Sequence, residues 1–99
     1  MTCRKAHAAA FNPFVGYDRT AVDVVGETRV WQSSPGYGRE FCPGCGSRVI
    51  GRNGAEVEIS LGSYDEPGEV TPAYESWIVR REPWLTALGV PQFAADRVP

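Results

Sequence analysis

Cys42-Pro43-Gly44-Cys45-Gly46 constrains this chain more than any other stretch. Two thiols separated by a proline and a glycine must sit in a tight turn, because proline fixes one φ and glycine admits the backbone angles that L side chains avoid. In a zinc knuckle such a turn brings both sulfurs to about 2.3 Å from one ion. Three readings compete for the pair: a metal knuckle, a redox dithiol and a coincidence of spacing. The redox reading is disfavoured by context, since a thioredoxin-type pair opens a helix, whereas Gly46 and Ser47-Arg48-Val49-Ile50 continue in strand-like sequence.

The rest of the composition narrows the chemistry. The chain has 99 residues, with three cysteines and one histidine. Lys5 is its only lysine and is not set in a glycine-rich phosphate loop, and a lone His7 excludes a His-Glu-x-x-His protease site. Acidic residues outnumber basic ones by 12 to 10, so the broad positive footprint of a nucleic-acid binder is missing and a nucleic-acid partner is not expected. The longest apolar run, Ala8–Phe11, is far below the roughly 20 residues that cross a bilayer, so no membrane association is expected. An odd cysteine count without a secretory leader fits a reducing cytoplasm. At this length a single small domain is expected, with a modest core that a structural metal would reinforce.

Strand signals dominate. Phe11–Tyr17 carries Pro13 and fits an edge strand. Ala21–Val25 is β-branched and ends at Gly26; with Thr28–Ser33 it forms a hairpin candidate turning at Gly26-Glu27. Ser34-Pro35-Gly36-Tyr37-Gly38 is a turn cluster, and the segments on either side of Cys42–Gly46 predict a hairpin with the cysteines at its tip. In Val57-Glu58-Ile59-Ser60-Leu61 the alternation predicts a half-buried strand with Glu58 and Ser60 on the polar face. A turn at Tyr64–Gly68 and a strand over Ala73–Val79 follow. Short helices are expected at Arg4–Ala10 and at Pro83–Leu88, the latter ended by Gly89. The sum is a mainly β fold of antiparallel strands with one or two short helical segments.

A knuckle supplies two ligands and a closed zinc site needs four. Cys3 and His7 lie one helical turn apart and would complete a three-cysteine, one-histidine set; equally, they are an ordinary terminal thiol and an exposed helix residue. Trp31, Trp77 and Trp84 are expected in the core rather than stacked on a substrate. Asp65 sits in a turn, where accepting local backbone N–H bonds is its ordinary role. Arg39, Arg48 and Arg52 cluster near the knuckle in sequence and either attract a carboxylate ligand or are solvated strand positions. Arg80-Arg81-Glu82 reads as an exposed charged junction.

Taken in order, Cys3-Arg4-Lys5-Ala6-His7, Phe11, Trp31-Gln32-Ser33-Ser34, Arg39–Ser47, Leu61-Gly62-Ser63-Tyr64-Asp65 and Trp84-Leu85 resemble the glutathione-dependent formaldehyde-activating (GFA) family, also called the centromere protein V family. The resemblance implies a β-tent zinc fold with two metal sites. Cys42 and Cys45 correspond to half of a closed four-cysteine site, whose other half is an N-terminal Cys-x-Cys pair. Cys3, followed by Arg4-Lys5, corresponds to the last cysteine of an open Cys-x-Cys-x-x-Cys site, in which His7 is not a ligand. The remaining cysteines of both patterns would precede residue 1. Met1-Thr2 fits as a spacer, so the expectation is a single domain over residues 1–99 that lacks its N-terminal strand and first cysteine motifs. Ala8 stands where the family usually has glycine. The implied activity is that of a carbon–sulfur lyase on glutathione adducts: an open zinc takes up and deprotonates glutathione, which adds to formaldehyde to give S-hydroxymethylglutathione. With Cys3 alone at that site, impaired catalysis is expected. The other class implied is a non-enzymatic zinc-binding carrier or interaction module.

Overall fold

The computed structural model describes residues 2–98; Met1, to which the resemblance gives a spacer position, lies outside them. Two compact units are present, one formed by residues 13–66 and the other by residues 1–12 with 67–99.

The unit of residues 13–66 is one antiparallel sheet. Its strands are β1 (Phe14–Asp18), β2 (Arg29–Ser34), β3 (Tyr37–Phe41), β4 (Arg48–Asn53) and β5 (Glu56–Ser60), in the spatial order β1-β5-β4-β3-β2. Mainly antiparallel β is thus the observed class, and Pro13 precedes an edge strand, as its missing N–H requires. Gly36, with φ of 78°, turns β2 into β3, and Gly54, with φ of 60°, turns β4 into β5.

The expected strand over Ala21–Val25 does not form. Asp18 accepts hydrogen bonds from the Thr20 N–H (2.9 Å) and hydroxyl (2.6 Å), which turns the chain into a 3-10 segment at Arg19–Ala21. The β-branched residues that follow have no neighbouring strand, and Val25 is 91% exposed. β2 therefore pairs with β3 through the Ser34–Tyr37 turn instead of with an earlier strand through Gly26. β-Branched sequence favours a sheet position only where a partner edge is available.

Alternation sorts the sheet into two unlike faces. On one, Val15, Ile59 and Ile50 lie side by side across β1, β5 and β4, with Val57 one level away. Val57 is 1% exposed and Ile50 8%, and these two are the buried hydrophobic side chains among the described residues. The other face was expected to be solvated, yet at its centre Glu58 is only 9% exposed and Arg39 6%. At its level the row reads Gly16, Glu58, Gly51, Arg39 and Trp31 across five strands. A glycine on each side of Glu58 leaves room for long polar side chains to lie flat on the sheet.

In the other unit, helix α1 spans Thr2–His7 and ends earlier than the expected Ala10. The Ala9 N–H bonds to the Arg4 carbonyl (3.1 Å) and the Ala8 N–H to the Lys5 carbonyl (3.3 Å), the paired bonds of a Schellman stop with Ala8 at the left-handed position, φ 51°. Glycine ordinarily fills that position because a Cβ costs about 1–2 kcal/mol there. Ala8→Gly is accordingly expected to stabilise the protein by about 1 kcal/mol, after allowance for the greater freedom of glycine in the unfolded chain, read as an increased urea midpoint.

The strand expected over Ala73–Val79 reduces to a single bridge between Glu75 and Gln92, because Trp77 takes a left-handed conformation (φ 55°) and opens a 3-10 turn at Ile78–Arg80. Instead of a helix at Pro83–Leu88 there is one turn, closed by the Leu85 N–H on the Glu82 carbonyl (3.0 Å). The downstream segment is tied by Glu75, whose carboxylate accepts from the Gln92 amide (2.6 Å) and the Leu88 N–H (3.1 Å); these bonds hold it below the usual carboxylate range.

Candidate functional site

The antiparallel strands β3 and β4 carry the two thiols at their tip. The Cys42 N–H bonds to the Ser47 carbonyl and the Gly46 N–H to the Cys42 carbonyl, both at 2.8 Å, and Gly46 adopts φ of 78° to allow it. The turn aims the N–H groups of Cys45 and Gly44 at the Cys42 sulfur, and the Cys45 thiol also bonds to it. Those donors, with the Cys45 N–H the largest, lower the pKa of the Cys42 thiol. Donated N–H bonds favour a thiolate, the form that binds metals and attacks electrophiles. Cys42 is half-buried, Cys45 is exposed, and neither is in a disulfide.

Two converging sulfurs are half of a closed zinc set. Among the described residues, no group of three or more histidine, cysteine, aspartate or glutamate side chains gathers to hold a metal ion, so these residues do not make up the complete ligand set that zinc requires. Cys3, exposed on α1 one turn before His7, belongs to the unit of residues 1–12 and 67–99.

The arginines near the knuckle are engaged within the sheet. Arg39, 6% exposed, donates to the Ser33 hydroxyl (2.9 Å) and lies 4.6 Å over the Tyr37 ring. Arg48 donates to the Tyr37 hydroxyl (3.4 Å), which in turn donates to Glu58. Arg52 is paired with Glu40, which also accepts from the Thr28 hydroxyl (2.7 Å). Arg39 is buried and Arg48 half-buried, whereas Arg52 is a solvent-exposed strand position that is also ion-paired; all three hold neighbours in the same unit. Burial is the main reason that Glu58 is raised above the usual carboxylate range, and burial with the Glu58 contact pushes Tyr37 up to about 12. The alternating pattern of β5 concealed this buried network, since Glu58 reads as an outward position; the flanking glycines Gly16 and Gly51 are the signal that could have revealed it.

The tryptophans also depart from expectation. Trp31, Trp77 and Trp84 are 52%, 46% and 70% exposed. Trp77 donates its indole N–H to Asp96 (2.8 Å), and Trp31 lies on the edge strand β2. Trp84 lines an open groove of about 470 Å³ with Arg4, Lys5, Ala8–Ala10 and Glu82. Arg4 and Glu82 form an ion pair across it, so Glu82 is not the exposed junction residue it resembles in sequence.

Residues 1–80 match the family described as glutathione-dependent formaldehyde-activating enzyme. The chain belongs to this family. No curated protein matches it. The GFA match takes in α1 with Cys3, the whole sheet and the Cys42–Cys45 knuckle, whereas Glu82 and Trp84 lie beyond it. Among the described residues, no helix is long and apolar enough to cross a membrane.

Proposed function

We propose that this GFA-family chain acts on the adduct of glutathione and formaldehyde, as a carbon–sulfur lyase in the direction of breakdown. In the forward direction the glutathione sulfur bonds to the carbonyl carbon, the carbon–oxygen π bond opens, and the thiol proton passes to the oxygen. The product is S-hydroxymethylglutathione, with nothing oxidised or reduced. The observation that carries this reading is the family match, which spans the elements bearing all three cysteines. A reducing compartment such as the cytoplasm would keep those thiols available.

Exchange spectroscopy with carbon-13 formaldehyde and glutathione tests the reaction directly. A weak acceleration of adduct exchange over the protein-free rate is expected, because Cys3 stands without other thiols on α1 among the described residues; binding of glutathione without acceleration would replace the enzyme by a carrier.

Cys42 and Cys45 are proposed to act as a pair of soft-metal ligands, two of the set that zinc would take. Cobalt(II) added to the reduced protein should give thiolate-to-metal charge-transfer absorption in the near ultraviolet, and either Cys42→Ser or Cys45→Ser should remove most of it without altering the far-ultraviolet circular dichroism. Absorption that survives both substitutions would place the metal elsewhere.

A further inference from the structure

We propose that the groove lined by Arg4, Lys5, Ala8–Ala10, Glu82 and Trp84 seats the γ-glutamyl end of glutathione, an inference that rests on the glutathione reading above. It is a shallow groove, open to solvent, of about 470 Å³, with room for one end of a small peptide rather than the whole of it. Arg4 and Glu82 balance each other across it. Lys5 is exposed, makes no ion pair among the described residues, and leaves the groove with one net positive charge.

The γ-glutamyl head is zwitterionic, with a carboxylate and an ammonium on one carbon. Lys5 and Arg4 complement the carboxylate, and the Glu82 carboxylate accepts from the ammonium. Trp84 supplies the apolar cover that the peptide's methylenes need: it is a large ring 70% exposed at the groove, where covering it removes apolar surface from water. The small side chains of Ala8–Ala10 leave space between helix and ring. Lys5 and Arg4 directly follow Cys3 on α1, so the same short helix carries both a thiol and the cations for the peptide. Glu82 and Trp84 lie just beyond residues 1–80, the part of the chain that the family match covers.

The test uses S-methylglutathione, whose blocked thiol cannot be taken up through sulfur, added to the full chain while the Trp84 indole N–H is followed by NMR, with Trp84→Phe identifying its signal. A saturable shift is expected, weakening with salt. S-methyl-cysteinylglycine, which lacks the γ-glutamyl group, should leave the signal unmoved. Lys5→Glu should weaken binding about fivefold and Lys5→Gln about twofold, the scale of an exposed ion pair, with circular dichroism confirming that each variant is folded. Glutathione binding that leaves Trp84 unmoved and is indifferent to Lys5→Glu overturns the groove while preserving the glutathione reading. An equal response to the dipeptide overturns the γ-glutamyl assignment. Failure of glutathione and S-methylglutathione alike to bind, together with no acceleration of adduct exchange, removes both.

Discussion

Replacing Val57 by alanine is expected to lower stability by about 2–3 kcal/mol, the cost of deleting buried methyl groups and leaving a partly collapsed cavity. Val57 is the most buried large side chain among the described residues, on a strand with neighbours on both sides. In a small protein whose whole stability is on the order of 5–10 kcal/mol, that corresponds to a drop in Tm of roughly 10–20 °C. The internal control is Val30→Ala on the edge strand β2, where the side chain is 59% exposed and the change should stay within about 0.5 kcal/mol. Equal melting temperatures for the two variants would show that the apolar face of β5 is not the core.

Tyr37→Phe should produce the second large loss, and one that depends on pH. The Tyr37 hydroxyl donates to Glu58, whose carboxyl is already raised above its ordinary 4.5 by burial. Without that donor the buried carboxylate keeps its desolvation cost and loses a charge-assisted bond, a penalty of about 1.5–3 kcal/mol near neutral pH. Because the folded-state pKa exceeds the unfolded value, the folded protein binds more protons between the two, and stability falls as pH rises through that window. Removing the hydroxyl raises the folded pKa further and extends the window upward. The gap between wild type and Tyr37→Phe in denaturant unfolding should therefore be widest above the raised pKa and narrow on acidification toward about pH 4. A gap independent of pH would mean that Glu58 is not the group relieved by Tyr37.

The contrast between these residues shows what can be read from such a sequence. The strands around Cys42–Gly46 were legible because strand-like residues resume on the far side of the glycine–proline punctuation, so a hairpin follows from local sequence. Ala21–Val25 has equally strong strand propensity and fails, since propensity does not reveal whether an edge is free, and Asp18 diverts the chain before it reaches one. Glu58 misleads in the opposite sense: period two assigned it to a face correctly but not to an environment, which depends on Gly51 in the neighbouring β4 and on Gly16 in β1, distant in sequence. The groove was invisible for a related reason. Trp84 looks like core material in a small β protein, and only the three-dimensional pairing of Arg4 with Glu82 sets a cation, an anion and an exposed ring around one space. For the thiols, spacing was enough to bring Cys42 and Cys45 together, because the turn between them is local.

That locality also orders events in time. β2 to β5 form an up-and-down meander in which every pairing joins neighbours in the chain, while β1 must close a loop back to β5 at the far end of the unit. Loop-closure entropy delays such a distant pairing relative to hairpins. The thiol pair is therefore assembled early, while much of the polypeptide is still searching for its contacts. A nascent chain would hold Cys42 and Cys45 together before β1 has docked, so the pairing of the two thiols does not wait for the sheet to be completed.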